Sequence, residues 1–469
     1  MLPLYVDLDG TFVKTDLLIE SFISALKKNP WVLFLSIYWL VQGIATLKAR
    51  LAELAEIDVS LLPLNAEFYD YLLDESAKGR EIILATAANE KFAKEIVSHY
   101  SVFTSFISSS EGENLKGSNK LNKIQEYGNK FAYAGNHQID FKLFSVAAES
   151  ILVNPSRKAK RLSQNFRFNK VFDEVSPDLR LWLTQIRVHQ WLKNLLIFVP
   201  LMVSGSYTDY SKITLTFIAF LAFSSLASST YILNDLLDLP SDRNHSRKKN
   251  RPLASGRISL VSGGVVMILL FVLAFILSNY LSFEFLFILF CYLAITLAYS
   301  FKIKQYVGMD VVTLAILYTV RILAGAAAIG VITSFWLFAF SVFIFLSLAL
   351  VKRCSEIKLM STEGKNRATG RDYTINDYGT LQSLGTASAM LAVLMFCFYV
   401  NNNALNDQYQ EPSLLWAIVP GLIYWIMRMW IKTDRGEMHD DPIVFSIRDK
   451  GSLITIAFCG LVTLMAQLL

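Results

Sequence analysis

Apolar residues are spread unevenly along the chain. Up to about position 165 they come in short bursts between polar stretches, whereas from Leu181 onward they run in blocks long enough to cross a bilayer. Three bursts predict buried strands: Leu4-Tyr5-Val6, Ile82-Ile83-Leu84-Ala85 and Phe131-Ala132-Tyr133-Ala134. Each runs into polar residues: Asp7-Leu8-Asp9-Gly10-Thr11, then Thr86, then Gly135-Asn136-His137-Gln138-Ile139-Asp140. Polar residues just past strand C-termini are where open parallel sheets bind ligands. Residues 13–79 predict a helical cap between the first two strands. Within it, Trp31 to Val41 is apolar but too short to span a bilayer, which predicts a helix packed on the core or lying on the membrane surface.

The second part of the pattern predicts nine spans, at 186–204, 212–234, 258–279, 283–301, 308–330, 333–351, 383–402, 412–431 and 452–469. The shorter ones can tilt or recruit flanking side chains. Loop charge alternates. Arg243 to Arg257, Lys302 with Lys304, Lys352 to Arg371 and Lys432 to Lys450 lie on one side, while the opposite loops near 205–211, 280–284, 331–334 and 403–412 carry no Lys or Arg. That asymmetry predicts a cytosolic N-terminus and cytosolic charged loops, and an odd span count puts the C-terminus outside.

Composition agrees with a membrane setting: 54% of residues are hydrophobic, 13% aromatic and only 18% charged, where soluble domains average ~25% charged. The expected organisation is a soluble α/β domain over 1–160, a basic linker over 161–180 suited to anionic lipid, and an all-α membrane domain over 181–469. Cys291, Cys354, Cys397 and Cys459 are scattered, so neither a disulfide framework nor a zinc site is indicated. Met1 leads straight into the first strand without the layout of a cleaved signal, which leaves the first domain in the cytosol. The expected setting is multi-pass in the cytoplasmic membrane, with membrane lipids and no nucleic acid as partners.

The chemistry concentrates where one span ends. In Asn234-Asp235-Leu236-Leu237-Asp238-Leu239-Pro240-Ser241-Asp242, a continuous helix would put Asp235, Asp238 and Asp242 on one face at i, i+3 and i+7. Three aligned carboxylates at a membrane boundary are costly without a cation among them. Mg²⁺ takes carboxylate oxygens and keeps positions for phosphate, so the face predicts a metal-diphosphate site, with Arg243, Lys248 and Arg251 gripping remaining phosphate charge. This string, followed by Arg251-Pro252-Leu253-Ala254-Ser255-Gly256, resembles the first aspartate motif of the UbiA superfamily of intramembrane prenyltransferases. The resemblance covers about 290 residues and implies a nine-helix bundle with a cytosol-facing cavity.

Aromatic prenyltransferases of that superfamily usually carry a second D-x-x-x-D. Here the corresponding stretch holds Tyr299 and Lys302, then Asp310-Val311-Val312-Thr313-Leu314 with a single acid. With Gln190-Trp191-Leu192-Lys193-Asn194, Arg321, Lys352-Arg353-Cys354-Ser355-Glu356, Arg367, Arg371, Asp372 and Tyr373, it resembles the polyprenyl-phosphate phosphoribosyltransferase branch. That branch attaches ribose 5-phosphate from phosphoribosyl pyrophosphate (PRPP) to a lipid phosphate. The resemblance implies Asp235, Asp238 and Asp242 as catalytic metal ligands oriented by Asn234. It implies Asp310 against the ribose or a second metal, Lys193 with Asn194 at the lipid phosphate, and the other residues as substrate contacts. His189 and His245 read as polar loop residues, since a phosphate nucleophile demands no general base.

The strand-end residues of the first domain, with Lys120 in Lys116-Gly117-Ser118-Asn119-Lys120, resemble the haloacid dehalogenase (HAD) phosphatase superfamily over about 150 residues. The resemblance implies a Rossmann-like fold in which Asp7 is the nucleophile and Asp9 the acid/base. Thr86 and Lys120 would be phosphate ligands, and Asp7, Asp9, Asn136 and Asp140 the Mg²⁺ site. Asn136 stands where the family usually has Asp, and an uncharged amide lowers metal affinity. The expectation is a Mg²⁺-dependent transferase that moves phosphoribose from PRPP to a polyprenyl phosphate, fused to a domain that removes the product's phosphate. The rival expectation is an aromatic or lipid polyprenyltransferase using a prenyl diphosphate, its HAD domain non-catalytic.

Overall fold

The computed structural model describes residues 1–109, 115–173, 177–362, 364, 371–402, 409–438 and 441–469. They divide into two compact units, Met1–Ile186 with Ile232–Val266, and Arg187–Tyr231 with Met267–Leu469. The loop carrying the three aspartates therefore belongs to the same unit as the N-terminal domain.

The first unit is built on six parallel strands, β1 (Leu4–Val6), β2 (Ile82–Asn89), β3 (Ser105–Ser109), β4 (Ala132–Gly135), β5 (Glu149–Val153) and β6 (Lys170–Phe172), in the order β3-β2-β1-β4-β5-β6. Leu4 pairs with Ile82 on one side and Ala132 on the other, so β1 is central. Its side chains alternate between two cores. Leu4 and Val6 pack with Phe12, Phe68 and Phe92, while Tyr5 packs with Phe131, Tyr133 and Phe144. A parallel sheet buried on both faces needs apolar runs rather than alternation, as these strands have. Helices α1 (Leu17–Lys28), α2 (Val32–Gln42), α3 (Ile44–Leu54) and α4 (Ala66–Ala77) fill the interval between β1 and β2, where a helical cap was expected. Then come α5 (Glu90–His99), α6 (Ser118–Gln125), α7 (Phe141–Phe144), α8 (Arg157–Ser163) and α9 (Leu179–Gln185).

The expected basic linker is partly structured: α8 starts at Arg157, and Lys170–Phe172 adds the edge strand β6 beside Ile151–Val153. Phe172 packs on Phe68 and Tyr71, contacts that the surrounding charge hides in the sequence.

Membrane-type helices follow: after α10 (Val199–Val203) come α11 (Tyr210–Leu237), α12 (Leu239–Asn244), α13 (Leu260–Ser278), α14 (Phe283–Phe301), α15 (Met309–Ala328), α16 (Phe335–Thr362), α17 (Tyr378–Val400), α18 (Ile418–Asp434), α19 (Pro442–Arg448) and α20 (Lys450–Leu468). Among the described residues eight helices are long and apolar enough to cross a membrane, and the protein is integral to it. The expected first span, 186–204, is not a full-length helix. It is a 3₁₀ stretch, Val188–Phe198, followed by the short α10. That stretch buries the polar Lys193 and Asn194. Within the second unit it lies so close to α15 that a side chain on Gly325 would meet the Ile197 carbonyl at 2.1 Å.

Candidate active sites

The aspartate string does not form one helical face. Pro240 has no N–H to continue a helix, so α11 ends at Leu237, Asp238 takes a non-helical conformation (φ −101°, ψ 12°) and α12 starts at Leu239. Asp235 and Asp242 are brought together, each accepting from the same Arg251 nitrogen at 3.0 and 2.5 Å. Asp238 diverges to Lys27 of α1, 3.2 Å away. Gln185 donates to the other oxygen of Asp235 at 3.0 Å, a contact the sequence did not signal. Arg243 meets Glu20 of α1 at 2.5 Å with both side chains buried, and Gly256 (φ +72°) leaves no room for a side chain against Lys14. The aspartate loop is thus clamped by the cap helix of its own unit. Burial holds the Asp242 carboxyl above its ordinary range despite Arg251. Lys248 is exposed on a short 3₁₀ turn, and Asn234 is half-buried.

Among the described residues no three His, Cys, Asp or Glu side chains form a ready-made metal cage. Asp235 and Asp242 nevertheless fit Mg²⁺: two hard carboxylates already share one cationic nitrogen, and the Arg251 side chain, 31% exposed, can yield that place.

The second unit holds three linked sets of charged groups. Arg353 places a guanidinium nitrogen 2.7 Å from Asp310 as an ion contact without hydrogen-bond alignment, and both side chains are buried. The Tyr373 hydroxyl donates to the other Asp310 oxygen at 2.5 Å. Arg353 and Arg371 both reach Glu356, the latter at 2.9 Å, with Tyr299 beside Arg371. In the second set, Lys193 lies 2.8 Å and Lys352 3.4 Å from Asp441, which also accepts from the Tyr318 hydroxyl at 2.9 Å. Asp441 was not singled out from sequence. It caps α19 and precedes a proline, and that capping pattern was the available signal. In the third set, Arg321 donates to Asn194 at 2.9 Å and lies over the rings of Phe223, Tyr292 and Tyr318. Arg321 is thus enclosed by side chains of its own unit. Lys302 and Asp372 are exposed, and Arg367 lies outside the described residues.

Asp7, Asp9, Lys120, Asn136 and Asp140 gather around one cavity of about 440 Å³, which Lys48 and Lys116 also line and Thr86 does not. Gly10 (φ +77°) makes the turn after β1, and a side chain there would strike Asn136 at 2.0 Å. Lys120 bonds Asp7 at 2.6 Å and the Tyr133 hydroxyl at 3.2 Å, and Tyr133 donates to Asp140. Asp140 also accepts from the Asn136 and His137 amides. Tyr133 and Lys48 were missed from sequence, one hidden inside a strand pattern and the other on the cap. Thr86 is fully buried and accepts from the Ala88 amide.

Asp9 accepts from the Leu17 amide at the start of α1. Burial, with the charges of Asp16 and Asp7, pushes its carboxyl up to about 8. For Lys120 burial acts downward, but the Asp7 and Asp140 charges prevail and hold its ammonium above the ordinary lysine range. The oxygen donors facing the cavity suit a hard divalent ion.

A carboxylate pair at the end of a helix long enough to cross a membrane, in a chain with eight such helices among its described residues, is the setting of an integral membrane enzyme. The chain belongs to the UbiA prenyltransferase family, whose model matches residues 195–463. An uncharacterized protein, y4nM, of Sinorhizobium fredii is 36% identical over 466 residues, 97% of this chain and 90% of its own length. A decaprenyl-phosphate phosphoribosyltransferase of Mycolicibacterium smegmatis is 26% identical over 275 residues, covering 56% of this chain and 85% of its own. Among solved structures, a UbiA homolog from Archaeoglobus fulgidus bound to GPP and Mg²⁺ is 16% identical with a TM-score of 0.47, over 60% of this chain and 99% of that one.

Proposed function

We propose that the membrane domain transfers ribose 5-phosphate from PRPP to a polyprenyl phosphate at the cytosolic face of the cytoplasmic membrane, and that the HAD-like domain removes the 5-phosphate of the product. The observation that carries the reading is Asp310. It stands alone where an acid pair would hold a second metal, and Arg353 and Tyr373 already engage both its oxygens. The second unit is thus arranged around cations, which suits phosphates held directly. The similarity to a protein named decaprenyl-phosphate phosphoribosyltransferase supports transfer of a phosphoribosyl group to a lipid phosphate.

Asp235 and Asp242 would hold Mg²⁺, which when bound neutralises charge on the diphosphate. Lys248, whose charge acts on Asp242, supplies further positive charge to that end, while Arg243 is committed to Glu20 and holds the loop. Lys193 and Lys352, kept close by Asp441, hold the lipid phosphate. A lipid phosphate oxygen forms the new bond to the anomeric carbon, and the bond from that carbon to the diphosphate breaks with its electron pair leaving on pyrophosphate. In the HAD-like domain a carboxylate oxygen of Asp7 attacks phosphorus, and the ribose 5-oxygen leaves with a proton from Asp9. Water then releases phosphate and restores Asp7. Lys120 holds Asp7 in place and faces the transferred group.

The test offers purified protein PRPP, Mg²⁺ and polyprenyl phosphate in one arm, and prenyl diphosphates with hydroxybenzoate in the other. Mass spectrometry should find phosphoribosylated lipid in the first arm and no prenylated aromatic in the second. The reverse makes the chain a prenyltransferase with a non-catalytic HAD-like domain.

A further inference from the structure

Helix α2 is built unlike the rest of the cap. From Trp31 to Leu47 the sequence has no charged residue, and of α2 only Val32 is buried. Phe34, Ile37, Tyr38 and Val41 are all more than 60% exposed, as is Trp31 just before the helix. Large residues exposed this densely form an apolar surface that a domain facing water alone does not sustain. Eleven residues rise about 16 Å, too little to cross a bilayer. The same length with Trp, Phe and Tyr suits a helix lying in the headgroup region of one leaflet.

The neighbourhood of α2 names the occupant. Gly43 (φ +127°) turns the chain from α2 into α3, whose Ile44 and Lys48 line the HAD-like cavity. Ser259, Leu260 and Val261, where the membrane-type helix α13 begins, line the same cavity. Within this one unit the cavity is thus lined both by the start of the helix that follows α2 and by the start of a membrane-length helix, so a lipid surface is the apolar phase that the exposed face of α2 and that span can share.

We propose that α2 inserts into one leaflet of the bilayer and holds the mouth of the HAD-like cavity on the lipid surface, so that this site takes phosphomonoesters carried by membrane lipids in preference to soluble ones. The substrate preference rests on the phosphatase reading above; the insertion does not.

The experiment uses the full chain in vesicles of phosphatidylethanolamine and phosphatidylglycerol. A benzophenone side chain placed at Phe34 should, on illumination, give lipid adducts seen by mass spectrometry, and the same group at Tyr127, exposed on another element, should give none. Absence of lipid adducts at position 34, equal adducts at both positions, or crosslinks at position 34 to a second copy of the chain would overturn insertion. In parallel, Phe34→Asp with Ile37→Asp should slow removal of phosphate from phosphoribosyl polyprenyl phosphate on the order of tenfold while leaving p-nitrophenyl phosphate hydrolysis unchanged. Equal loss on both substrates, or no loss on either, overturns the preference. Wild-type protein that hydrolyses neither substrate would refute the phosphatase reading and with it the preference, and the crosslink would still decide insertion.

Discussion

Asp235 and Asp242 converge on one guanidinium nitrogen, and that arrangement sets the sharpest expectations for single residues. Replacing Asp235 by Asn keeps the shape but removes a ligand charge from a buried place. Transfer should fall by on the order of a hundredfold or more while the thermal midpoint changes little, and EDTA should reproduce the loss. Full turnover in Asp235→Asn, or in EDTA, would refute the assignment. Asp441 sets a different expectation. Its carboxylate neutralises Lys193 and Lys352 together, so Asp441→Ala leaves the buried Lys193 and the partly exposed Lys352 without their shared counterion. Removing one partner of a buried pair costs ~3–5 kcal/mol, and a large drop in the thermal midpoint is expected, measured by differential scanning fluorimetry in detergent. Asn136→Asp should lower the Mg²⁺ concentration that half-saturates phosphate release, because it returns a charged oxygen to the cavity.

Helix α1 is the element that joins two chemistries. Its first turn gives the Leu17 amide to Asp9 and Glu20 to Arg243, and its end gives Lys27 to Asp238. A cap helix of the N-terminal domain thus also holds the aspartate loop. Glu20→Ala would strand the buried Arg243 guanidinium, and the loop it holds should loosen. The expected result is a KM for PRPP raised severalfold, although Glu20 lies over 200 residues before the aspartate motif. Transfer kinetics of Glu20→Ala indistinguishable from wild type would show that the clamp is only packing.

At the scale of the whole molecule, the two proposed reactions on one chain would require a handover. Asp7→Asn should stop removal of the sugar phosphate without slowing transfer, and the 5-phosphorylated lipid should accumulate. A stricter comparison mixes vesicles bearing Asp7→Asn protein with others bearing Asp235→Asn protein. If the intermediate passes within one membrane, the mixture should form far less dephosphorylated product than wild type at equal protein, because effective concentration is lost between vesicles. Equal rates would mean the lipid exchanges freely and the fusion brings no kinetic gain.

Much of this protein is legible one residue at a time. Long apolar blocks give the membrane helices because backbone groups in lipid must be satisfied within each helix, and loop charge gives the expected orientation. Strand-end motifs give the HAD-like site because parallel sheets expose their C-terminal edges to ligands. Other features depend on partners distant in sequence. Three carboxylates spaced for one helical face were separated by a proline and shared between Arg251 and Lys27. The 3₁₀ stretch at Val188–Phe198 follows from burying Lys193 and Asn194 against polar partners, which local hydropathy cannot register. Asp441 looks like a helix cap until two lysines arrive from remote segments. Local pattern fixes which elements form because hydrogen bonding and hydrophobic period are short-range. Which charges meet is decided only when the chain closes on itself, since a buried charge must find its counterion wherever the fold brings one.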